Sequence, residues 1–286
     1  MSRVWSVLDL VRYTTDYLGG KGIRDARLNA ELLLADTLGL KRLDLYLQFD
    51  RPVRPDELAD FKSRLLRRAR REPLQYIAGH AAFRELRLKV DGRVLIPRPE
   101  TELLVGEVLS WAGGRTGLTA LDIGTGSGAI ALSLATEGPF RRVLATDLSA
   151  DALALAQENH GLAAPDAPVE FRLGPLFAPA ADEQFDVIVS NPPYVGEDER
   201  GDLEPEVRDW EPSVALFGGA GGLEVIVDLV RAAPAHLCAG GLLALEIGAA
   251  QAARVMALVG ATACFSEPRV VRDLAGRDRI VLAELK

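Results

Sequence analysis

Residues 120–128 have the sequence Ala-Leu-Asp-Ile-Gly-Thr-Gly-Ser-Gly, and this stretch decides the fold. An apolar segment ends at Asp122, glycines stand at positions 124, 126 and 128, and an apolar helical segment follows over residues 129–135. Glycine permits a tight turn and lets a ligand approach the backbone where a Cβ would collide. The first turn of a helix also leaves N–H groups free to bind that ligand. The stretch therefore predicts a strand–turn–helix unit with a ligand at the turn. With Ala129 it also fits G-x-G-x-x-A, so a dinucleotide site stays open.

Strands and helices alternate from about residue 101 to the end of the chain. Besides the segment before the glycines, predicted strands cover residues 141–146, 169–173, 186–190 and 242–247, and two more cover 269–272 and 279–283. The alternation predicts an α/β fold, with a mostly parallel sheet that carries helices on both faces. The last two strands are predicted to be antiparallel edge strands.

Asp147 follows the next predicted strand after the glycines. Ligands of open α/β sheets bind outside the carboxyl ends of the strands, where this carboxylate is suited to accept hydrogen bonds from ribose hydroxyls. Dinucleotide folds use the same device, so Asp147 does not distinguish a dinucleotide from another ligand that contains a ribose. A structural alternative places Asp147 at the start of a helix that is capped by Ser149.

Asn191-Pro192-Pro193-Tyr194, at the end of the strand predicted over residues 186–190, is the feature that favours S-adenosylmethionine over a dinucleotide. Each proline lacks an N–H and fixes its own φ, so the loop is stiff and offers carbonyl acceptors. The Asn191 amide adds one acceptor and two donors. A planar –NH2 group needs two acceptors, and Tyr194 is placed to cover its flat face. A rigid turn without a ligand is the alternative.

Longer stretches of the chain resemble the N5-glutamine methyltransferases that modify peptide-chain release factors, the HemK/PrmC family. The resemblance spans nearly the whole length, and its segments are residues 73–79, 95–102, 121–128, 190–194, 211–212, 221–223, 245–248 with Gln251, and 273–279. Many amino-methyltransferases share the glycine loop and the Asn-Pro-Pro-Tyr element. The Arg-Pro-Glu-Thr-Glu stretch at 98–102 and the helical amino-terminal third are more restrictive.

The resemblance implies a class I S-adenosylmethionine-dependent methyltransferase, Rossmann-like, with a seven-stranded, mostly parallel sheet. It implies methylation of the glutamine in the Gly-Gly-Gln tip of a release factor. Asn191 Oδ1 and the Pro192 carbonyl are predicted to accept the two amide hydrogens. The predicted catalytic and substrate-binding residues are Asn191, Pro192, Pro193 and Tyr194. The predicted cofactor-binding residues are Asp122, Gly124, Thr125, Gly126, Ser127, Gly128, Asp147, Leu176 and Asn191.

One segment departs from the family pattern, and a second allows two interpretations. The family's strand before Phe177 usually ends in a carboxylate that meets the adenine amino group, but Pro175 lies in this segment here. We therefore expect adenine to be held by Leu176 and by backbone atoms of the loop. Residues 196–209 are charged, with six acidic side chains between Glu197 and Glu206. They are predicted to form either a mobile surface loop or a lid over the substrate.

Three parts are predicted: a helical substrate-recognition domain over residues 1–72, a β-hairpin linker over 73–100 and the catalytic domain over 101–286. A helix is predicted over residues 30–38 with a stop at Gly39, and another begins at Pro55. The hairpin is predicted to turn at Asp91-Gly92, between strands at 86–90 and 94–96. Arg98 and Glu100 either shape the pocket or form an ion pair.

Charge and composition limit the partners. The net charge is −8 and the pI is about 5.1, so we expect no stable complex with nucleic acid. Only two cysteines are present, and no cysteine or histidine spacing typical of metal sites occurs, so a metal-free protein of the reducing cytoplasm is expected. No apolar run is long enough to span a membrane. A basic run ends the helix from Pro55 and is either a solvated face or a docking surface: Lys62, Arg64, Arg67, Arg68, Arg70 and Arg71.

Two other functions stay open on the residues alone. An amino-methyltransferase acting on adenine N6 or guanine N2 would meet the same two hydrogens and the same flat face. Such an enzyme acting on a DNA duplex has to flip its base and grip phosphates, which the acidic balance disfavours. A module that binds the cofactor without chemistry is disfavoured, because both halves of a transfer site are present.

Overall fold

The computed structural model describes residues 4–286, which form two compact units. One unit comprises residues 4–79 together with 204–210, and the other comprises residues 80–203 together with 211–286. The predicted linker 73–100 is thus divided between them. Ile77 packs in the core of the first unit, whereas Phe83 and Leu88 pack in a core of the second.

The first unit is helical. Its core contains Leu18, Leu34 and Phe61, which are almost completely buried. Two predicted helix boundaries are confirmed: α2 ends at Gly39, whose φ of 63° suits a glycine, and α4 begins with Pro55 in its first turn. The helices before the second unit are α1 Val7–Gly20, α2 Ala26–Leu38, α3 Arg42–Leu47, α4 Pro55–Ala69 and α5 Leu74–Ala78.

The basic run of α4 is mostly paired within the helical unit. Arg64 binds Asp36, and Arg67 binds Glu72. Arg68, only 6% exposed, and Arg71 both donate to Glu206, at 2.9 and 3.2 Å. These bonds explain why residues 204–210, with the short helix α9 Pro205–Arg208, belong to this unit. Four of the six cations of the run therefore have acidic partners, rather than forming a purely solvated face.

The second unit is built on the seven-stranded sheet that the sequence predicted. The strand order is β5-β4-β3-β6-β7-β9-β8, in which the first five are parallel and β9 runs antiparallel to both β7 and β8. The strands of this sheet are β3 Leu118–Ile123, β4 Phe140–Asp147, β5 Val169–Leu173, β6 Phe185–Ser190, β7 Leu237–Glu246, β8 Arg269–Arg272 and β9 Asp278–Glu284. The helices of this unit are α6 Pro99–Ala112, α7 Ala129–Glu137, α8 Ala150–Ala163, α10 Ser213–Leu216, α11 Glu224–His236 and α12 Ala252–Ala261.

Alternate residues of the central strands enter two separate cores. In β3, Ala120 packs in the core with α6 and α7, whereas Leu121 packs in the core with α11 and α12. Successive side chains of a strand point to opposite faces. Both faces of β3 are therefore buried, and its functional groups are confined to its carboxyl end.

The predicted hairpin turn at Asp91-Gly92 is wrong. The hairpin pairs β1 His80–Phe83 with β2 Leu86–Lys89, and Arg84, with a φ of 50°, lies in the turn. Asp91 instead accepts hydrogen bonds from the backbone and the guanidinium of Arg93. The chain after Lys89 therefore runs on as an irregular segment towards α6. No helix within residues 4–286 combines the length and apolar character needed to cross a bilayer.

Candidate active site

The glycine loop and the Asn-Pro-Pro-Tyr element leave neighbouring strands at the same edge of the sheet. β3 and β6 are parallel with Ile123 opposite Ser190, and Ser190 Oγ donates to the Ile123 carbonyl at 2.7 Å. A cavity of about 330 Å³ opens where both strands end. Nine predicted site residues line it: Gly124, Thr125, Gly126, Ser127, Asp147, Leu176, Asn191, Pro192 and Pro193. The glycine loop and the Asn-Pro-Pro-Tyr element therefore face one cavity, whereas Asp122, Gly128 and Tyr194 are not among its lining residues.

The glycine loop has open space where side chains would stand. Gly124 and Gly126 have φ angles of 74° and 55°, and a Cβ added at either would meet no atom within 4 Å. The N–H groups of Gly124 and Thr125 both donate to the Thr146 carbonyl at 2.9 Å, which ties the loop to β4. The loop is thus a firmly held backbone cradle with room for a ligand.

Asp147 joins the glycine loop to the next helix. Its Oδ2 accepts from the Gly126 N–H at 2.9 Å and its Oδ1 accepts from the Ser149 N–H at 2.8 Å. Ser149 caps α8 through the Ala152 N–H, as the structural alternative predicted. Burial raises the pKa of the Asp147 carboxyl, although these backbone donors oppose the rise. Asp147 lines the cavity as well, so its structural role does not exclude the predicted contact with ribose, which stays a prediction.

Asp122 lies beneath the loop rather than in the cavity wall. Its Oδ2 accepts from Thr125 Oγ1 at 2.6 Å and from the Ala131 N–H at 3.1 Å, so it fixes the turn between β3 and α7. Its Oδ1 is buried and has no hydrogen-bond partner within residues 4–286. Burial, reinforced by the negative charge of Asp147, raises the pKa of Asp122 to about 7. Direct contact between Asp122 and a ligand stays a prediction.

A chain of hydrogen bonds runs from Asn191 into the protein. Asn191 Nδ2 donates to Thr101 Oγ1 at 3.0 Å, and Thr101 Oγ1 donates to Glu246 Oε2 at 2.6 Å. Thr101 and Glu246 are only 4% and 1% exposed. The Tyr194 hydroxyl donates to the other oxygen of Glu246 at 3.3 Å. Burial raises the pKa of the Glu246 carboxyl to about 7.

Tyr194 belongs to this chain of hydrogen bonds and does not line the cavity. Its ring packs against the apolar core on the α11 and α12 face, and burial raises the pKa of its hydroxyl. Its carbonyl accepts from Gln251 Nε2 at 2.8 Å. The predicted cover over a substrate amide stays a prediction, because the ring is not among the residues that line the cavity.

Leu176 is held in a strained conformation at the opposite side of the cavity. Its φ is 47°, a left-handed value that non-glycine residues adopt rarely. Such strain concentrates at ligand sites, where the surrounding structure enforces it. Here the Gly174 N–H donates to the Asp147 carbonyl, and Phe177 stacks on His236. Pro175 and Leu176 both line the cavity, and contact between Leu176 and adenine stays a prediction.

Sequence reasoning missed the roles of Thr101 and Glu246 and left Arg98 undecided. Arg98 lines the cavity and binds Glu211, which is 5% exposed, at 2.7 Å rather than pairing with Glu100. Four residues of these contacts lie in segments that carry the family resemblance: Arg98, Thr101, Glu211 and Glu246. That signal marked the segments, but it did not show which side chains meet.

The reversed pairing of β9 near one end of an otherwise parallel sheet gives the second unit the fold of class I S-adenosylmethionine-dependent methyltransferases. Solved structures have the same fold. A methyltransferase from Pyrococcus furiosus matches with a TM-score of 0.55 at 22% identity, over 80% of this chain and 98% of that chain. The 16S rRNA N2 G1207 methyltransferase of Thermus thermophilus, solved with AdoMet and guanosine, matches with a TM-score of 0.52 at 19% identity, over 72% and 50%.

Sequence comparisons narrow the class to one family. The PrmC N-terminal domain model matches residues 9–79, and the methyltransferase small domain model matches residues 100–203. The release factor glutamine methyltransferase of Geobacter sulfurreducens is 43% identical over 97% of this chain and 96% of its own length. That of Cereibacter sphaeroides is 43% identical over 97% and 98%. The chain belongs to the release factor glutamine methyltransferase family.

Proposed function

We propose that this protein methylates the side-chain amide nitrogen, N5, of the glutamine in the Gly-Gly-Gln tip of peptide-chain release factors. The observation that carries the proposal is the shared cavity, in which Asn191 and Pro192 stand beside the glycine loop. Relatives at 43% identity that carry this name support the choice of substrate. Release factors work in the cytoplasm, which is therefore the expected compartment.

The residues of the cavity fit S-adenosylmethionine. The open backbone at Gly124 and Gly126 would receive the methionine part. Asp122 Oδ1, which lies beneath the loop and has no hydrogen-bond partner within residues 4–286, would accept from the methionine ammonium through an ordered water. Asp147 would accept from ribose hydroxyls, and Pro175 and Leu176 would contact adenine. When bound, S-adenosylmethionine would supply an electrophilic sulfonium methyl group, with the demethylated cofactor as the leaving group and the displaced amide proton released to water.

Asn191 and Pro192 address the weak nucleophilicity of a glutamine amide, whose lone pair is delocalised into its carbonyl group. Asn191 Oδ1 and the Pro192 carbonyl accept the two amide hydrogens and thereby orient the nitrogen. Good orientation contributes up to ~7–11 kcal/mol to a reaction of two bound groups. The same acceptors stabilise the positive charge that grows on nitrogen, and one fixed group of this kind contributes about 3–4 kcal/mol. Because the proton becomes acidic only as the new bond forms, no strong base is needed beforehand.

The helical unit is proposed to contact the body of the release factor. Exposed apolar side chains on and after α3 support this role, since Leu43, Leu47 and Phe49 are all largely exposed. The basic run of α4 is a poorer candidate, because its arginines mostly bind acidic groups of the same unit.

Transfer of a labelled methyl group tests the proposal. The protein is incubated with labelled methyl donor and one of four acceptors: a release factor, the same factor with its Gly-Gly-Gln glutamine replaced, DNA or ribosomal RNA. We expect label in the unaltered factor alone. Label in either nucleic acid, or equal labelling of both forms of the factor, would overturn the proposed substrate.

A further inference from the structure

The orientation of the Asn191 side chain decides whether it can accept a hydrogen bond from a substrate amide. A carboxamide has one end that accepts and one end that donates, and a half-turn exchanges them. Thr101 Oγ1 lies 3.0 Å from one end of this carboxamide. If Asn191 turned its oxygen to Thr101, its NH2 group would face the cavity and repel the hydrogens of the substrate amide.

Glu246 removes this ambiguity through Thr101. An ionised carboxylate only accepts, and a threonine hydroxyl has a single hydrogen to donate. Thr101 Oγ1 and Glu246 Oε2 are 2.6 Å apart, the separation typical of a hydroxyl that donates to a carboxylate. With its hydrogen engaged there, Thr101 only accepts from Asn191. The NH2 group of Asn191 must then face Thr101, and Oδ1 is kept for the cavity.

We propose that Thr101 and Glu246 are positioning residues for methyl transfer, which fix the direction of the Asn191 amide and so hold Oδ1 ready to accept from the substrate. This inference rests on the proposed function, in which Asn191 binds a glutamine amide. Neither residue needs to touch the substrate, since each acts through the next hydrogen bond of the chain.

The surroundings of Glu246 make the arrangement sensitive to pH. The Tyr194 hydroxyl faces it from the loop after β6, Glu100 raises its pKa from α6, and Arg279 of β9, itself paired with Asp273, lowers it. Protonated Glu246 donates its own hydrogen, which frees Thr101 to donate to Asn191 Oδ1. Turnover should therefore fall as the pH decreases through about 7, the pKa to which burial raises this carboxyl.

Substitutions at Thr101 test the link. Thr101→Val keeps the shape but removes the hydroxyl, and we expect kcat to fall roughly 10–100-fold while the dissociation constant for S-adenosylmethionine stays within threefold. Thr101→Ser restores the hydroxyl and should recover most of kcat. The matched control is Thr119→Val, which removes a buried hydroxyl bonded to Asp186 at the amino-terminal end of β3. It should reduce stability but leave kcat unchanged.

The acid limb of the kcat profile provides a second readout. Glu246→Gln should abolish the limb near pH 7, and Thr101→Val should abolish it as well, because protonation no longer reaches Asn191. The double variant should then be no slower than the slower single variant. Equal kcat in wild type and Thr101→Val, or additive losses in the double variant, would overturn the inference.

Nuclear magnetic resonance tests the inference without turnover. The side-chain NH2 signals of Asn191, identified by their loss in Asn191→Ala, should shift near pH 7 in the wild type and not in Glu246→Gln. Unshifted wild-type signals would contradict the link between Glu246 and Asn191. If the wild-type protein methylates no release factor while these signals shift as expected, the proposed function fails and the link between the residues stands.

Discussion

Asp122 is completely buried, and its Oδ1 lacks a hydrogen-bond partner within residues 4–286. A buried polar atom without a partner costs about 1–3 kcal/mol of stability. Natural sites that bind ligands commonly retain such destabilising groups because binding needs them. At the residue scale, Asp122 should therefore lower the stability of the free protein and raise its affinity for the cofactor.

Asp122→Asn separates these two effects. The asparagine keeps an acceptor for Thr125 and Ala131, and its NH2 group takes the buried position of Oδ1, so the variant removes the buried charge rather than the buried polar atom. We expect the melting temperature of the free protein to rise by roughly 2–4 °C at pH 8. We expect affinity for S-adenosylmethionine to fall about tenfold, since 1.4 kcal/mol is a factor of ten. Calorimetry measures both, and a variant that binds as tightly as the wild type would exclude Asp122 from cofactor binding.

The stability that Asp122→Asn gains should depend on pH, and the pKa of Asp122 gives the direction of that dependence. The pKa of Asp122 is raised from its ordinary value to about 7 in the folded protein. The folded state therefore holds this proton more tightly, and the associated stability is lost as the pH rises through about 7. The advantage of Asp122→Asn should be large at pH 8 and small at pH 5, and an advantage that grows towards acid would contradict the assignment.

Asn191→Ala removes the predicted acceptor from the cavity. We expect kcat to fall roughly 10²–10³-fold, the effect typical of deleting one fixed group that stabilises developing charge. The melting temperature and the affinity for S-adenosylmethionine should stay near the wild-type values. Steady-state kinetics with a release factor measures kcat, and near-normal turnover would refute the role of Asn191.

Nine of the cavity residues were predicted from the sequence, but the hydrogen bonds behind them were not. Asn191 and Asp147 follow directly from the polar ends of two predicted strands. Thr101 and Glu246 are 145 positions apart, and only the folded sheet brings them together. Their segments resemble the family, but nothing local in either segment indicates that one side chain bonds to the other.

At the element scale, the loop after β6 is held by a close approach of backbone to backbone. A Cβ added to Gly222 would lie 2.2 Å from the Tyr194 carbonyl oxygen, and the φ of Gly222 is 69°. Gln251 donates to the same carbonyl. The resemblance singled out both residues, and the structure supplies the reason: together they set the position of the loop that carries Asn191.

Gly222→Ala should displace this loop. Because the methyl group collides with backbone and the left-handed conformation is strained, we expect a loss of stability of about 1–3 kcal/mol and a fall in kcat that approaches 100-fold. Gly221→Ala is the matched control, since a Cβ there meets nothing within 4 Å. Thermal unfolding and kinetics measure both effects, and equal behaviour of the two variants would contradict this account.

The ion pairs of Glu206 should stabilise the helical unit. Among residues 4–286, Glu206→Ala leaves the buried Arg68 with only its bonds to Asn29 and the Glu72 carbonyl, so we expect a loss of about 1.5–3 kcal/mol. Glu204→Ala is the control, because its pair with Arg24 is exposed and should contribute under about 1 kcal/mol. Urea unfolding and amide hydrogen exchange in α2 and α4 report the difference. Equal losses in both variants would mean that burial of Arg68 is unimportant.

Helix boundaries were easier to predict than the hairpin. Gly39 and Pro55 act through their own backbone geometry, which a sequence shows directly. The pair Asp91-Gly92 is a common hairpin signal, but here Asp91 binds Arg93 and the strand partner lies upstream at His80–Phe83. The local turn sequence therefore gave a wrong prediction, because the choice of partner strand depends on contacts between residues that are distant in sequence.

At the scale of the whole molecule, the alternation of strands and helices predicted the mostly parallel sheet, and the family resemblance predicted its seven strands. The last two strands were both predicted to be edge strands, but β9 lies between β7 and β8, so only β8 is an edge. The return of residues 204–210 to the helical unit was not predicted. The membership of residues 204–210 in the helical unit depends on Arg68 and Arg71, each at least 135 positions from Glu206. No local sequence pattern therefore indicates it.

The most direct measurement is a crystal structure of the protein with the demethylated cofactor and a peptide containing Gly-Gly-Gln. We expect the glutamine amide nitrogen within hydrogen-bonding distance of both Asn191 Oδ1 and the Pro192 carbonyl, with the cofactor sulfur in the same cavity beside the glycine loop. A glutamine bound elsewhere, or an Asn191 side chain that turns its NH2 group towards the peptide, would contradict it.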